Sequence, residues 1–249
     1  MNFLRSFRGL GKGVAPKLDD GVRIYAIGDI HGRLDLLEAL LTKIEAEETD
    51  SKKRLVFLGD YIDRGPESRG VIDRLIADQN KRPDTVFLKG NHEQAMLDFL
   101  DDPMAGDAWL DWGGEETVLS YGVDYAPTRP PQTVADTLKD QLPETHIRFL
   151  EGLDTSYTNG DYFFVHAGVL PGVPLEEQSA KDLLWIRREF HETPKDKRPS
   201  KVIVHGHHPT DQPLDAGWRI GVDTGAVWTD KLTAVVIEGQ DRRFVSTID

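Results

Sequence analysis

Apolar residues in the first half of the chain follow one pattern three times. A short run rich in β-branched and aromatic residues ends in glycine and polar residues, and apolar residues at helical spacing come after it. The three runs are VRIYAIGDIHG, RLVFLGDYIDRG and DTVFLKGNHE. The helical positions that follow them are Leu34, Leu37, Leu40, Leu41, Ile44, then Val71, Ile72, Leu75, Ile76, then Met96, Leu97 and Leu100. Strand, loop and helix in this repeating order predict an α/β fold with a largely buried sheet.

The pattern changes in the middle of the chain. Residues 103–150 contain helix-like segments, two tryptophans, a Gly-Gly pair and a Pro-Pro break, and no flexible linker sets them apart. We interpret them as a helical insertion in a single domain spanning 21–249, preceded by an N-terminal arm at 1–20. The second half reads as the short strands DYFFVHAG, KVIVHGHHP, WRIGVDTG, LTAVVIE and RRFVSTI, with LLWIRREF as a helix.

Charge and composition exclude several classes of protein. The net charge of −13 over 249 residues disfavours a nucleic-acid partner, because an acidic surface repels the phosphate backbone. The absence of cysteine excludes disulfides, a thiolate nucleophile and a zinc-thiolate site. No apolar run reaches the length of a membrane span, and the N-terminus lacks the features of a signal peptide. We therefore expect a cytoplasmic protein without integral membrane association.

Five loops, each following an apolar run, contain the candidate chemistry: GDIHG, GDYIDRG, GNHE, VHAG and VHGHHP. Asp29 and His31 lie two residues apart at a strand end, so their side chains point to the same side. A single histidine such as His166 in an apolar run is more often a core residue than a ligand, and the prediction depends on the ordered set. Carboxylate, imidazole and amide donors suit manganese, iron or zinc, and two such cations on one carboxylate bridge can activate water for an in-line displacement.

In order and spacing, GDIHG, GDYIDRG and GNHE resemble the calcineurin-like metallophosphoesterases. More narrowly, they resemble the phosphoprotein phosphatase (PPP) family of Ser/Thr phosphatases in its bacterial and phage branch. The segments VHAG, LLWIRREF, GHHP and GVDTGAV extend the resemblance over residues 22–238. The resemblance implies an α/β four-layer sandwich, in which two mixed β-sheets pack face to face between helices and the metals lie at the strand ends.

The resemblance also implies a role for each matching residue. Two divalent metal ions are expected, manganese foremost, with iron or zinc as alternatives. The implied metal ligands are Asp29 and His31 for the first ion, Asp60 as the bridge, and Asn91, His166 and His207 for the second. Arg64, Arg187 and Asn91 are expected to hold the substrate phosphate, while His92 acts as general acid and Asp63 orients it. Because Pro209 stands where other phosphoesterases have a second histidine, His205 and His208 have no assigned role.

The implied function is hydrolysis of phosphate monoesters by direct in-line attack of a metal-activated hydroxide. The expected substrate is a protein or peptide phosphorylated on serine or threonine, with tyrosine also accepted. One alternative is a symmetrical diadenosine polyphosphate hydrolase, although that family lacks the acid before the loop arginine and reads GNHD. The other alternative is an inactive metal-binding scaffold, which should have lost a ligand or His92, and none of these is lost here. The sequence leaves the oligomeric state open.

Overall fold

The structure is a computed structural model, and it describes residues 15–248. Within that range two five-stranded sheets pack face to face, and helices cover the outer face of each sheet. The predicted α/β four-layer sandwich of two mixed β-sheets is therefore confirmed.

The first sheet contains β1 (Val22–Ile27), β2 (Lys52–Phe57), β3 (Val86–Phe87), β9 (Thr233–Glu238) and β10 (Asp241–Ser246). Their order in space is β10-β9-β1-β2-β3; β1, β2 and β3 are parallel, and β9 is antiparallel to both of its neighbours. The second sheet contains β4 (Ser156–Asn159), β5 (Tyr162–Val165), β6 (Val202–His205), β7 (Leu214–Asp215) and β8 (Arg219–Gly221). Their order is β4-β5-β6-β8-β7, with β5, β6 and β8 parallel.

Helices form the two outer layers. Their bounds are α1 Leu34–Ala46, α2 Ser68–Lys81, α3 Asn91–Asp101, α4 Glu115–Ser120, α5 Pro131–Gln141, α6 Glu144–Glu151, α7 Ala180–Trp185, α8 Arg188–His191 and α9 Ala226–Thr229. Helices α1, α2, α3, α5 and α6 pack on the first sheet, and α7 and α8 pack on the second. A further helical turn, Leu110–Gly114, leads directly into α4.

Side-chain alternation in β1 shows why the sheets stack. Ile24 and Ala26 point into the core between the two sheets, whereas Tyr25 and Ile27 point outward to the helices. All four are fully buried, so the strand has no solvent face. Complete burial of a large apolar side chain contributes about 1.5–3 kcal/mol, and this explains why the strand is almost continuously apolar.

The parallel strands place the candidate loops at one edge of the sandwich. The loops after β1, β2 and β3 leave the first sheet at its carboxyl edge, and those after β5, β6 and β8 leave the second sheet in the same region. A hydrogen bond of 2.9 Å from His166 Nδ1 to the carbonyl oxygen of Leu58 joins the two sheets there. Ligand sites of α/β proteins form at such edges.

Some predicted elements differ from those observed. LLWIRREF is two short helices rather than one, because the backbone leaves the helical conformation at Ile186 and Arg187. The break leaves Ile186 buried and Arg187 exposed. Strands β4 and β7 were not predicted, since SYTN and LD are polar and short.

The structure describes only part of the predicted N-terminal arm but all of the predicted insertion. Residues 1–14 of the predicted arm lie outside the described residues, while Leu18 is buried in the core between the sheets. The predicted insertion at 103–150 holds the turn Leu110–Gly114, α4, α5 and most of α6. In the described part of the chain, every helix is too short or too polar to cross a membrane.

Candidate active site

The loops of the site are tightly folded against each other. His31, Asp60, Asp63, Arg64 and His207 all have a positive φ, between 47° and 74°. This left-handed conformation is uncommon for residues with a side chain and concentrates at functional sites. Close packing also requires glycine at two positions, since a Cβ on Gly90 would collide with the Asp60 carboxylate and one on Gly206 with the Asp29 carboxylate.

One group of electron-pair donors forms around His166. Its Nδ1 donates to the Leu58 carbonyl, so its Nε2 is an acceptor, 2.9 Å from Asn91 Oδ1 and 3.4 Å from Asp60 Oδ1. His207 Nδ1 lies 3.1 Å from the same Nε2, while His207 Nε2 is buried and has no hydrogen-bond partner among residues 15–248. Acceptors that face one another without a shared hydrogen are stabilised by a cation, so this group fits a metal ion.

A second group forms on the other side of Asp60. His31 Nδ1 donates to the Ile62 carbonyl at 2.8 Å, which leaves His31 Nε2 as an acceptor 3.7 Å from Asp60 Oδ2. His92 Nε2 lies 4.0 Å from the same oxygen. The Arg64 guanidinium donates to both ring nitrogens, at 2.6 Å to His31 and 2.8 Å to His92. This second group of acceptors therefore already faces one positively charged side chain.

The pKa values of the buried carboxyl groups also indicate a site for a cation. Asp29 is buried, and burial together with the neighbouring carboxylates Asp223 and Asp60 raises its pKa well above the usual aspartate value. Burial similarly raises the pKa of Asp223 to about 6. Burial opposes the charge of Asp60, but the neighbouring histidines, His166 and His92 foremost, outweigh burial and lower its pKa. Several buried carboxylates so close together require a positive partner, which divalent cations would supply.

The site therefore brings together the predicted ligands. Asp60 belongs to both clusters of potential metal ligands, one with His31 and His92 and the other with His166 and His207. Asn91 adjoins the second cluster. Asp29 contacts it through its carboxylate, which accepts the backbone N–H of His207 at 3.1 Å. Burial lowers the pKa of His31 to about 3 and that of His207 to about 2, so both rings are neutral and can donate an electron pair.

His92 and Asp63 form a buried pair beside these clusters. His92 Nδ1 lies 2.6 Å from Asp63 Oδ2, and burial of His92 is outweighed by Asp60 and by this hydrogen bond, so its pKa is raised. Asp63 is fully buried and accepts two further hydrogen bonds, from Trp109 Nε1 at 2.8 Å and from the Thr117 hydroxyl at 2.7 Å. Three side chains, those of Asp63, Trp109 and Thr117, thus fix the orientation of the His92 ring.

The two predicted phosphate-binding arginines have different surroundings. Arg64 is partly buried and contacts His31 and His92, as described above. Arg187 is exposed, and within residues 15–248 its guanidinium makes no hydrogen bond or ion pair. Its positive charge nevertheless helps to lower the pKa values of His166 and His207. Arg187 thus influences the histidines of the second cluster through its charge.

The histidines without an assigned role lie outside the clusters. His205 is buried, with Nδ1 2.9 Å from the carbonyl oxygen of Gly206 and Nε2 3.2 Å from Arg219. His208 is exposed, and its ring lies 4.2 Å from that of His191. His146 bonds to Tyr121 and Asp73 between helices.

Glu93 has a structural role that the sequence did not indicate. Its buried carboxylate accepts backbone N–H groups from Asp60 at 2.9 Å, Tyr61 at 2.7 Å and Ile62 at 3.3 Å, and from Gly90 at 2.8 Å. It therefore holds the loop that presents Asp60. The GNHE motif contained Glu93 but gave no sign of its partners.

Four other residues of the site were not assigned from the sequence. They are Trp109, Thr117, Asp223 and Trp228. Trp109 and Thr117 belong to the insertion, and only their position between two candidate loops associated them with the site. Asp223 follows β8 within GVDTGAV, so its position after a strand was the available signal.

Comparison with known proteins agrees with this geometry. The calcineurin-like phosphoesterase family matches residues 22–236, most of the chain, and the protein belongs to this family. It is 28% identical over 229 residues to Bis(5'-nucleosyl)-tetraphosphatase PrpE [asymmetrical] of Bacillus mycoides, with 84% of this chain and 88% of the relative covered. The protein of the same name from Oceanobacillus iheyensis is 27% identical, with 86% and 88% covered.

Solved structures share the fold. A candidate diadenosine tetraphosphatase superposes with a TM-score of 0.65 at 21% identity, covering 94% of this chain and 98% of the other. A cold-active protein-tyrosine phosphatase of a Shewanella species gives 0.60 at 17% identity, covering 92% and 83%. A protein serine/threonine phosphatase of Saccharomyces cerevisiae gives 0.55 at 16% identity, covering 93% and 84%. At these identities the superpositions establish the fold alone.

Proposed function

We propose that this phosphoesterase hydrolyses phosphate monoesters on proteins, at phosphoserine and phosphothreonine and also at phosphotyrosine. The observation that supports the proposal is the buried His92–Asp63 pair next to the clusters that share Asp60. An alkoxide released from serine or threonine is a strong base, so its departure needs a proton donor. A nucleotide leaves as a phosphate anion and has much less need of one.

In this proposal the residues of the site divide the work of metal binding, proton donation and phosphate recognition, and Asn91 takes part in both metal binding and phosphate recognition. Asp29, His31, Asp60, Asn91, His166 and His207 would hold two divalent cations, manganese foremost. Bound cations would supply Lewis-acid activation of water and neutralise charge on the phosphoryl oxygens. His92 gives a proton from Nε2 to the leaving oxygen when Arg64, which donates to that nitrogen here, turns to the phosphoryl oxygens, and Asp63 at Nδ1 orients the ring.

Phosphate recognition falls to the two arginines and to Asn91. Arg64 already donates from both terminal nitrogens, and the same planar fork can bind two oxygens of a phosphoryl group. Arg187 is exposed at the same edge and is free to reach the substrate. Asn91 presents its side chain from the first turn of α3, where backbone N–H groups also favour an anion.

A second candidate is the asymmetrical hydrolysis of a dinucleoside tetraphosphate. The names of the relatives from Bacillus mycoides and Oceanobacillus iheyensis favour it. These names specify the asymmetrical reaction, whereas the sequence alone suggested the symmetrical one as the alternative. An exposed tryptophan beside Arg64 also favours it, because nucleobases stack on aromatic side chains.

The test compares two substrates on metal-stripped protein reconstituted with manganese. The kcat/KM for a phosphothreonine peptide should exceed that for diadenosine tetraphosphate by about tenfold or more, a difference of about 1.4 kcal/mol in transition-state stabilisation. A preference for the dinucleotide would replace the first candidate with the second. Metal content without turnover of either compound would favour a binding scaffold instead.

A further inference from the structure

Trp228 is an exposed aromatic residue at the edge of the site. Its ring centroid lies 5.2 Å from the guanidinium carbon of Arg64, yet 64% of the residue remains exposed. One face of the indole is therefore occupied by the cation and much of the remaining surface is free. Exposure alone is common for a single apolar side chain, and it is the position of Trp228 against Arg64 that makes its indole available as a contact surface beside the phosphate-binding group.

The turn that carries Trp228 is firmly held. Gly225, just before α9, donates its N–H to Asp223 Oδ1 at 2.8 Å. Arg33 donates to the Ala226 carbonyl at 3.2 Å and to the carboxylate of Asp230 at 2.6 Å, so it braces both ends of the short helix. These hydrogen bonds fix the backbone that carries Trp228, which lowers the entropy cost of using its side chain as a contact surface.

Other tryptophans lie near Arg64 on the side of the insertion. The Arg64 backbone N–H donates to the Gly113 carbonyl at 2.9 Å, which places the neighbouring Trp112 close to the arginine. Trp112 is 43% exposed, and its ring lies 5.5 Å from that of Trp185, two residues before Arg187. The surroundings of the two arginines are therefore aromatic as well as cationic.

We propose that Trp228 binds a planar aromatic ring of the substrate whose phosphoryl group Arg64 holds. The ring stacks on the exposed surface of the indole while the guanidinium contacts the phosphoryl oxygens. Two substrate types contain such a ring, the phenyl ring of phosphotyrosine and the base of a nucleotide. This inference rests on the proposed phosphoesterase function and adds a residue that determines its specificity.

The first experiment measures binding without catalysis. Phenylphosphonate and methylphosphonate are not esters, and they differ by the ring alone. In manganese-reconstituted protein, titration calorimetry should give a Kd about tenfold lower for phenylphosphonate. Trp228→Ala should abolish most of this ratio and Trp228→Phe should keep part of it. Met104→Ala, which removes a similarly exposed apolar side chain elsewhere, should keep the wild-type ratio.

Several results would overturn the inference. One such result is an unchanged ratio of the two Kd values in Trp228→Ala. If both phosphonates lose affinity equally, the ratio is also unchanged, and Trp228 then acts only through Arg64. Equal binding of the two phosphonates to the wild-type protein, or no binding of either, would also overturn it.

Turnover then identifies the source of the ring. The substrates are a phosphotyrosine peptide, a phosphothreonine peptide of the same sequence and diadenosine tetraphosphate. A selective loss of kcat/KM for the phosphotyrosine peptide in Trp228→Ala assigns the subsite to the aryl ester, and a selective loss for the dinucleotide assigns it to the base. Equal losses on all three substrates contradict the inference. If the wild-type protein turns over none of them, the proposed function fails while the phosphonate ratio still tests Trp228.

Discussion

At the residue scale, the surrounding side chains hold the imidazole ring of His92 in one orientation. His92 is buried, bonded to Asp63 at Nδ1 and directed at Nε2 toward the shared carboxylate of Asp60. This geometry is what a general acid needs, because the ring must meet the leaving oxygen in one orientation.

Replacing His92 should therefore affect substrates according to their leaving group. His92→Asn should lower kcat/KM for a phosphothreonine peptide by about 10²–10⁴-fold, and for 4-nitrophenyl phosphate by much less, since nitrophenolate departs without a proton. Steady-state kinetics on both substrates tests this, with His208→Asn as the matched control on an exposed histidine. An equal loss on both substrates would show that His92 holds the site together rather than donating a proton.

The residues of the site were best predicted from the sequence where they lie together in one loop. The candidate residues after β1, β2, β3, β5 and β6 could be singled out because each follows an apolar run, and the resemblance to the phosphoesterases implied their roles as ligands. The partners of Asp63 could not, since Trp109 and Thr117 lie 46 and 54 residues away in the chain. The structural role of Glu93 could not be predicted either, because Glu93 contacts the backbone of another loop and a pattern of side chains does not indicate such contacts.

At the element scale, helix α4 of the insertion supports the chemistry. It carries Thr117, whose buried hydroxyl accepts the Asp63 N–H at 2.9 Å and donates to the Asp63 carboxylate at 2.7 Å. Ser68, at the start of α2, completes the set with a bond of 3.0 Å from the Asp63 N–H. Two helices therefore meet around one carboxylate.

Removing the Thr117 hydroxyl should weaken both stability and catalysis. Thr117→Val preserves shape but leaves Asp63 with an unmet acceptor, so the free energy of unfolding should fall by about 1–3 kcal/mol. The kcat for a phosphothreonine peptide should fall as well, because Asp63 then orients His92 less well. Urea unfolding and steady-state kinetics test this against Thr117→Ser, which keeps the hydroxyl. Val and Ser variants that behave alike would contradict the role of α4.

Elements with strong periodicity were predicted more reliably than short ones. The strands and helices of the first half follow from apolar runs and helical spacing. The break between α7 and α8 did not follow from the pattern of LLWIRREF, because the core contact of Ile186 decides the backbone there. Strands β4 and β7 form because neighbouring strands offer hydrogen-bond partners, which a polar sequence of two to four residues does not indicate.

At the scale of the whole molecule, the protein and a phosphate ester carry net charge of the same sign. A net charge of −13 repels a phosphorylated peptide, and Asp29, Asp60 and Asp223 add buried negative charge at the site itself. Arg64 and Arg187 offset part of it. Divalent cations would reverse the local field and allow an anion to approach. The proposed chemistry therefore requires two cations that share Asp60.

Metal content measures this dependence most directly. The protein is loaded with manganese, dialysed against metal-free buffer and analysed for metal per chain by mass spectrometry. The wild-type protein should retain two ions, Asp60→Asn should retain fewer than one, and Asp196→Asn, on an exposed aspartate, should retain two. A single ion in the wild-type protein, or two ions in Asp60→Asn, would contradict a shared carboxylate between two metal sites.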